Sequence, residues 1–337
     1  MTDRIAQTAS ADTVAARRGI KLSPTGARAA RLVRDQTVFV LLIVLILLAS
    51  LLSPVFLTVD NMINILRAVS VLGIVALGQT VLLITANFDM SVSMVVPFAG
   101  MLAIGVQING GGLIESLLVG LLGGAAVGFL NGILVVKTRA NPFLITLGTQ
   151  TLVYALSLII TEAKTWYGQI EAYNVIGRGR LWDILPYSVL LFIVMAIALE
   201  FFLRRTIMGR SLYALGLNEE ATVLSGVNAN RIKLLAFVFC GFCASVAGIV
   251  MSSRLNSTNA SGAVGMDFDS LIAAVVGGTS LFGGSGGALR TVAGVMVLGV
   301  LNNLLVLTAV PYEAQLAVKG GVFLFVVGFD SLVRKAA

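Results

Sequence analysis

The residues with chemical capacity in this chain are polar side chains stranded in apolar surroundings. Gln79, Asp89, Asn131, Gln150, Glu200, Asn302, Asn303, Gln315 and Lys319 all fall within or at the edge of long hydrophobic stretches. Such groups are costly in lipid, so each must face a water-filled path or a partner helix. Asp89, Ser91, Asn131, Asn302 and Asn303 are the candidates for lining a translocation path, with interhelical hydrogen bonding as the alternative for each. Asp89-Met-Ser and Asp269-Ser-Leu each stand ahead of an apolar run. An aspartate there either caps a helix start or marks a half-helix beside a central path. Other chemistries are excluded by residue type. With two cysteines and no histidine, the chain offers no disulfide framework, no His-ligated metal and no His-based acid–base catalysis. Cys240-Gly-Phe-Cys243 has redox spacing but lies in an apolar helix with nothing to activate a thiolate, which assigns it to packing. No Gly-x-x-x-x-Gly-Lys-Ser/Thr occurs, and Gly283-Gly-Ser-Gly-Gly lacks both the lysine and a preceding strand. It reads as a bend or a close-packing turn and not as a phosphate cradle.

A second concentration of polar residues is an island near the middle of the chain, residues 204–231. Arg204, Arg205 and Arg210 open it, Asn218-Glu-Glu-Ala occupies its centre, and Arg231 and Lys233 close it. Ala221, Leu224 and Val227 recur at helical spacing, and Gly226 allows a sharp turn or a close backbone approach. A short amphipathic helix flanked by arginines between two membrane spans belongs on the cytosolic surface, where a soluble partner docks.

The elements that must hold these residues are membrane helices. Hydrophobic residues make up 58% of the chain and charged residues 12%, and the mean hydropathy is +0.98. That leaves too little polar surface for a water-soluble domain. Apolar windows of about 20 residues recur along the whole length, giving an all-α polytopic membrane protein of about ten spans. The spans are expected near residues 38–57, 63–85, 91–108, 113–136, 143–160, 185–203, 232–251, 271–289, 292–310 and 314–329. Pro97 makes the start of the third irregular. The fourth carries Gly120, Gly123, Gly124 and Gly128, small residues suited to close helix contact. The eighth is short or bent and ends in the glycine-rich turn. Residues 161–184 form a loop whose Trp166, Tyr167, Tyr173 and Trp182 suit a membrane–water boundary. Residues 1–36 read as a polar, basic cytosolic tail, disordered or helical near the membrane, ahead of a transmembrane domain over 37–333.

The formal charge of +7 does not indicate nucleic acid, because the basic residues lie in loops and tails instead of one patch. Most of them fall in the N-terminal tail, after the fourth span, around the island and at the C-terminus. The positive-inside rule then places both termini and the island in the cytosol, facing the lipid headgroups.

Several stretches in order resemble one family. Residues 214–233, Ala-Leu-Gly-Leu-Asn-Glu-Glu-Ala-Thr-Val-Leu-Ser-Gly-Val-Asn-Ala-Asn-Arg-Ile-Lys, resemble the cytosolic loop of the permease subunits of ribose-type sugar ABC importers. Gly128-Phe-Leu-Asn-Gly-Ile-Leu-Val, Cys240-Gly-Phe-Cys-Ala-Ser-Val-Ala-Gly-Ile, Ile272-Ala-Ala-Val-Val-Gly-Gly-Thr-Ser-Leu-Phe-Gly-Gly and Leu298-Gly-Val-Leu-Asn-Asn are similar to that family too. Glu220-Ala-Thr-Val-Leu-Ser-Gly226 is similar to the Glu-Ala-Ala-x-x-x-Gly coupling motif, with Thr222 for the second alanine. One motif departs: where the family reads Gly-Gly-Ile-Asp-Leu-Ser-Val-Gly, this chain has Ala86-Asn-Phe-Asp-Met-Ser-Val-Ser93. Asn87 suits a turn that needs positive φ, whereas Phe88 adds bulk. The resemblance implies a type II ABC importer permease fold in a bacterial inner membrane and a non-catalytic subunit with no cofactor of its own. ATP would be bound by a separate ATPase partner. It places ATPase coupling on Gly209, Arg210, Ala214, Leu215, Gly216, Asn218, Glu219, Glu220, Ala221, Leu224 and Gly226. It further implies a periplasmic or lipoprotein sugar-binding protein and a second permease copy or paralogue, with no residue pattern naming the sugar. Two alternatives of other classes are an ion-coupled secondary transporter with Asp89 as its ion site and a non-transporting membrane scaffold.

Overall fold

The structure, a computed structural model, describes residues 24–336, and side chains from residue 38 to 322 together with those of 324 and 328. Residues 1–23 of the expected tail lie outside the described residues. The rest of that tail is not separate from the membrane domain: α1 (Pro24–Leu52) begins inside it and runs on without a break. Helix α1 stops short of the expected 57, because Pro54 cannot continue it and residues 54–57 turn instead.

The order continues with α2 (Val59–Ile84), α3 (Val92–Ile108), α4 (Leu113–Thr138) and α5 (Pro142–Thr161). Then come strand β1 (Trp166–Tyr167), α6 (Glu171–Arg178), β2 (Arg180–Leu181), β3 (Leu185–Pro186) and α7 (Tyr187–Arg205). The last elements are α8 (Ile207–Leu217), α9 (Glu219–Leu224), α10 (Ala229–Leu255), β4 (Ser257–Thr258), α11 (Met266–Val276), α12 (Ala288–Leu307) and α13 (Tyr312–Ala336). Six described helices, α2, α4, α5, α7, α10 and α12, are long and apolar enough to cross a membrane. Two shorter apolar stretches, Val38–Leu52 and α3, accompany them.

The expected eighth span is the clearest departure. Its helix is only 11 residues, α11, after which Gly277 and Gly278 end it and an irregular turn runs to Gly287. At 1.5 Å per residue such a helix covers about half of a hydrocarbon core of about 30 Å. Leu289, assigned to that span, belongs to α12. The 161–184 segment is also more ordered than a loop. It holds α6, and β1 pairs antiparallel with β4 through Trp166↔Thr258 and Tyr167↔Ser257. Tyr167 and Trp182 are exposed as a boundary requires, but Tyr173 is fully buried with its hydroxyl 2.6 Å from Ser252 Oγ. Burial pushes its phenol up to about 12.

Helix α2 is buried nearly all round and forms the centre of the bundle. Helix α10 packs beside it, with Cys240 and Cys243 turned against Gly78 as ordinary packing. On its other side α10 meets α4 so closely that a Cβ on Gly128 would strike the Phe237 carbonyl, and one on Gly241 the Gly124 carbonyl. Small residues allow this approach, and dispersion contacts between backbones replace a hydrophobic drive that lipid cannot supply. The same device joins α12 to α11 where Gly294 lies on the Ala273 carbonyl.

Candidate functional site: a coupling surface over a polar interior

The island folds into two helices at one end of the bundle. Thr206 caps α8 by accepting from Gly209 N (2.9 Å), and Gly209 is buried against the Phe202 and Leu203 carbonyls. Asn218 caps α9 by accepting from Ala221 N (2.9 Å), and its carbonyl accepts from the Thr222 hydroxyl (2.7 Å). Gly226 follows with φ of +85° and open space around it, so the sharp turn is its role and not a close backbone approach.

The expected apolar strip of Ala221, Leu224 and Val227 divides. Thr222 and, in part, Val227 turn inward, while Ala221, Val223 and Leu224 face outward with Glu220. Leu224 is 89% exposed and, with Ala221 and Val223 beside it, makes a small outward apolar patch. Arg210 and Ala214 are exposed on α8, whereas Leu212 and Leu215 are buried beneath it. Lys233, at the close of the island, places its Nζ 2.7 Å from both carboxylate oxygens of Glu219 and ties α9 to α10. A crevice of about 1320 Å³ separates α9 from residues 86–88 and 139–142.

Under α8 the backbone itself makes the connection. A Cβ on Gly216 would collide with the Ile84 carbonyl at the end of α2. That carbonyl accepts from Gly284 N (2.9 Å), in the glycine-rich turn, and the Tyr213 hydroxyl donates to the Gly286 carbonyl (3.0 Å). Gly283 and Gly284 both have positive φ, 86° and 74°, which lets the turn reach the helix end. Glu200 joins the same region: it pairs with Arg204 and accepts from Leu289 N (3.2 Å), capping α12 from α7.

Three of the five path candidates meet in the interior. Asp89 Oδ1 accepts from Ser91 N (2.8 Å) and the Ser91 hydroxyl (2.6 Å), and Oδ2 accepts from Asn131 Nδ2 (3.1 Å). Asn131 Nδ2 also donates to Ser91 Oγ (2.9 Å), and Gln79 bonds both the N–H and the carbonyl of Asp89. Asp89, Ser91, Asn131 and Gln79 are all buried. The aspartate does not cap α3: it closes an Asx turn two residues before the cap residue, Ser91, and bridges to α4, so a local turn and an interhelical bond share one side chain. Positive φ falls on Ala86 (58°) and not on Asn87, whose amide instead donates to the Thr85 carbonyl (2.7 Å).

Asn302 and Asn303 are elsewhere. Asn303 exchanges two hydrogen bonds with Asn61 of α2 (3.0 and 2.8 Å), and Asn302 Oδ1 is buried with no partner among the described residues. Asp269 does not precede its helix: it lies inside α11 and pairs with Lys319 of α13 at 2.7 Å. A second polar group escaped the sequence reading. Gln150 Nε2 donates to Ser93 Oγ (2.8 Å) and to Asp267 Oδ2 (3.0 Å), so the starts of the short helices α3 and α11 meet across α5. The available signal was Asp267-Phe-Asp269 ahead of an apolar run too short to span.

The family model described as branched-chain amino acid transport system / permease component matches residues 61–327. The chain is similar to the ribose import permease protein RbsC of Haemophilus influenzae, 35% identical over 305 residues, 89% of this chain and 94% of that protein. RbsC of Bacillus subtilis is 34% identical, over 87% and 91% of the two chains. The D-allose transport system permease protein AlsC of Escherichia coli is 32% identical, over 89% and 92%. No solved structure matches. The matched region holds α2 through α12 with both polar groups and the α8–α9 surface, and the chain belongs to the permease family that this model describes.

Proposed function

We propose that this chain is the membrane-spanning permease subunit of an ATP-driven ABC importer that moves a monosaccharide-like sugar across the bacterial inner membrane. Relatives named for ribose and D-allose support the cargo class. The observation that carries the mechanism is the outward apolar face of α9, set beside α8, whose Gly216 rests on the Ile84 carbonyl. An ATPase subunit docks on Ala221, Val223 and Leu224, and ATP is bound and hydrolysed there, not in this chain. A push on α8 reaches the end of α2 and the 277–287 turn together. The first leads into the 85–91 segment with Asp89, the second lies between α11 and α12, and both short helices are thereby displaced. The full chain has about ten spans with both termini in the cytosol, the arrangement its basic loops favour.

On the opposite end of the bundle Arg67, Arg178, Arg180 and Arg254 gather. Arg67 and Arg178 donate to main-chain carbonyls, and none of the four has a carboxylate partner among the described residues. A sugar-binding protein docks there through acidic side chains. A second permease copy or paralogue completes the path. The test is uptake of labelled D-ribose, D-allose and L-arabinose by vesicles holding the chain with its ATPase and binding protein. ATP-dependent accumulation of at least one sugar is expected. Uptake that follows an ion gradient and ignores ATP would overturn the reading.

A further inference from the structure

We infer that Gln150 contacts the cargo, presenting its amide oxygen to a sugar hydroxyl, and that Ser93 and Asp267 are positioning residues that aim it. The inference rests on the chain being a sugar permease. Gln150 lies near the middle of α5 and is half-buried, while Ser93 and Asp267 behind it are buried. A primary amide half-exposed at that depth needs a polar neighbour that lipid does not offer.

Its geometry says which neighbour. Both amide hydrogens are used inward, toward Ser93 Oγ and Asp267 Oδ2. Exchanging nitrogen and oxygen would set the amide oxygen against the Asp267 carboxylate, acceptor to acceptor, so chemistry fixes the assignment. Oε1 remains, with two lone pairs and no partner among the described residues. An acceptor held by two inward bonds selects a donor such as the hydroxyl of a neutral polyol. The Asp267 carboxylate is buried beside it, a further acceptor within the same group. The place is also where the starts of α3 and α11 converge, and discontinuous helices with their ends at mid-membrane are a recurring way to build a transport site. Ser93 stands where the resembled motif has glycine, so its hydroxyl is a feature of this chain.

The experiment measures uptake of D-ribose and its singly deoxygenated analogues by the complete transport complex, with Gln150→Met and Ser93→Gly, as the mutant-to-parent ratio for each sugar. This ratio cancels selection by the unchanged binding protein. For D-ribose the ratio should fall by about 3- to 10-fold with Gln150→Met, the loss of one neutral hydrogen bond. For the analogue lacking the contacted hydroxyl it should stay near one. Ser93→Gly should give the same pattern, more weakly, and decides the matter if Gln150→Met fails to assemble. A ratio equal for every sugar overturns the contact while leaving the permease reading intact. A parent complex that accumulates no sugar overturns both.

Discussion

Replacing Gly216 with alanine tests whether α8 transmits force through a backbone contact. The added Cβ would lie 2.5 Å from Gly284 N and closer still to the Ile84 carbonyl. Ordinary non-bonded contact is about 3.5 Å, so the end of α8 must retreat by about 1.5 Å to clear the nearer carbonyl. Overpacking of this kind costs about 1–3 kcal/mol. The Gly284 N to Ile84 carbonyl bond, worth about 1 kcal/mol, stands in the same gap. Alanine's helix propensity returns about 1 kcal/mol. The net expectation is a loss of about 1–3 kcal/mol, concentrated where α8 meets α2 and the glycine-rich turn. If that junction carries the stroke, a coupling loss of about 1–2 kcal/mol lowers ATP-driven uptake by about 5- to 30-fold. ATPase association should persist, because Ala221, Val223 and Leu224 are untouched. The assay pairs co-purification of the ATPase with uptake in proteoliposomes and a melting curve. Gly320→Ala is the control, since nothing lies within 4 Å of that site. Parental uptake and melting temperature in Gly216→Ala, or an equal loss in Gly320→Ala, would refute the reasoning.

Asp89→Asn should insert normally and keep uptake within a few-fold, because an amide oxygen still accepts from Ser91 and Asn131 can turn its unpartnered Oδ1 to the new amide. Asp89→Ala strands those buried donors and should lower stability by about 2–4 kcal/mol, read as a fall in melting temperature; equal melting of the two variants would contradict this. Glu219→Ala should change stability by less than about 1 kcal/mol, since the pair with Lys233 is half open to solvent. A larger loss in thermal melts would mean that the pair holds α9 in place. Single cysteines at Thr165 and Asn218, both exposed, should label with an impermeant thiol reagent from opposite sides of the membrane, with Cys240 and Cys243 silent in their burial. Labelling of both from one side would break the proposed topology.

What was legible in the sequence followed from periodicity and composition. The long apolar runs became α2, α4, α5, α7, α10 and α12 with ends within a few residues, because lipid demands helix wherever a run is long and unbroken. The glycine row of α4 was readable as a packing face for the same reason. The interior partnerships were not. Nothing in the spacing of Ser93, Gln150 and Asp267 brings them together, since they come from three helices, α3, α5 and α11, whose mutual packing no local pattern fixes. The partial inward turn of Val227 was equally hidden, because a three-residue repeat does not say where its strip divides. The pairing of Asn303 with Asn61 was hidden too, because an asparagine paired across two helices carries the same sequence signature as one facing water.

The glycine contact between α4 and α10 has a consequence for biosynthesis. Gly128 and Gly241 are separated by more than a hundred residues, so the α4 face is made long before the helix that covers it. At a translation rate of about 5–20 residues per second, α4 waits on the order of 5 to 20 seconds in the bilayer for its partner. During that interval a groove of bare backbone is open to lipid or to any passing small-residue helix. A Gly128→Leu change would close that groove before α10 arrives, so its damage should appear as failed assembly and degradation of the new chain, ahead of any defect in the finished protein.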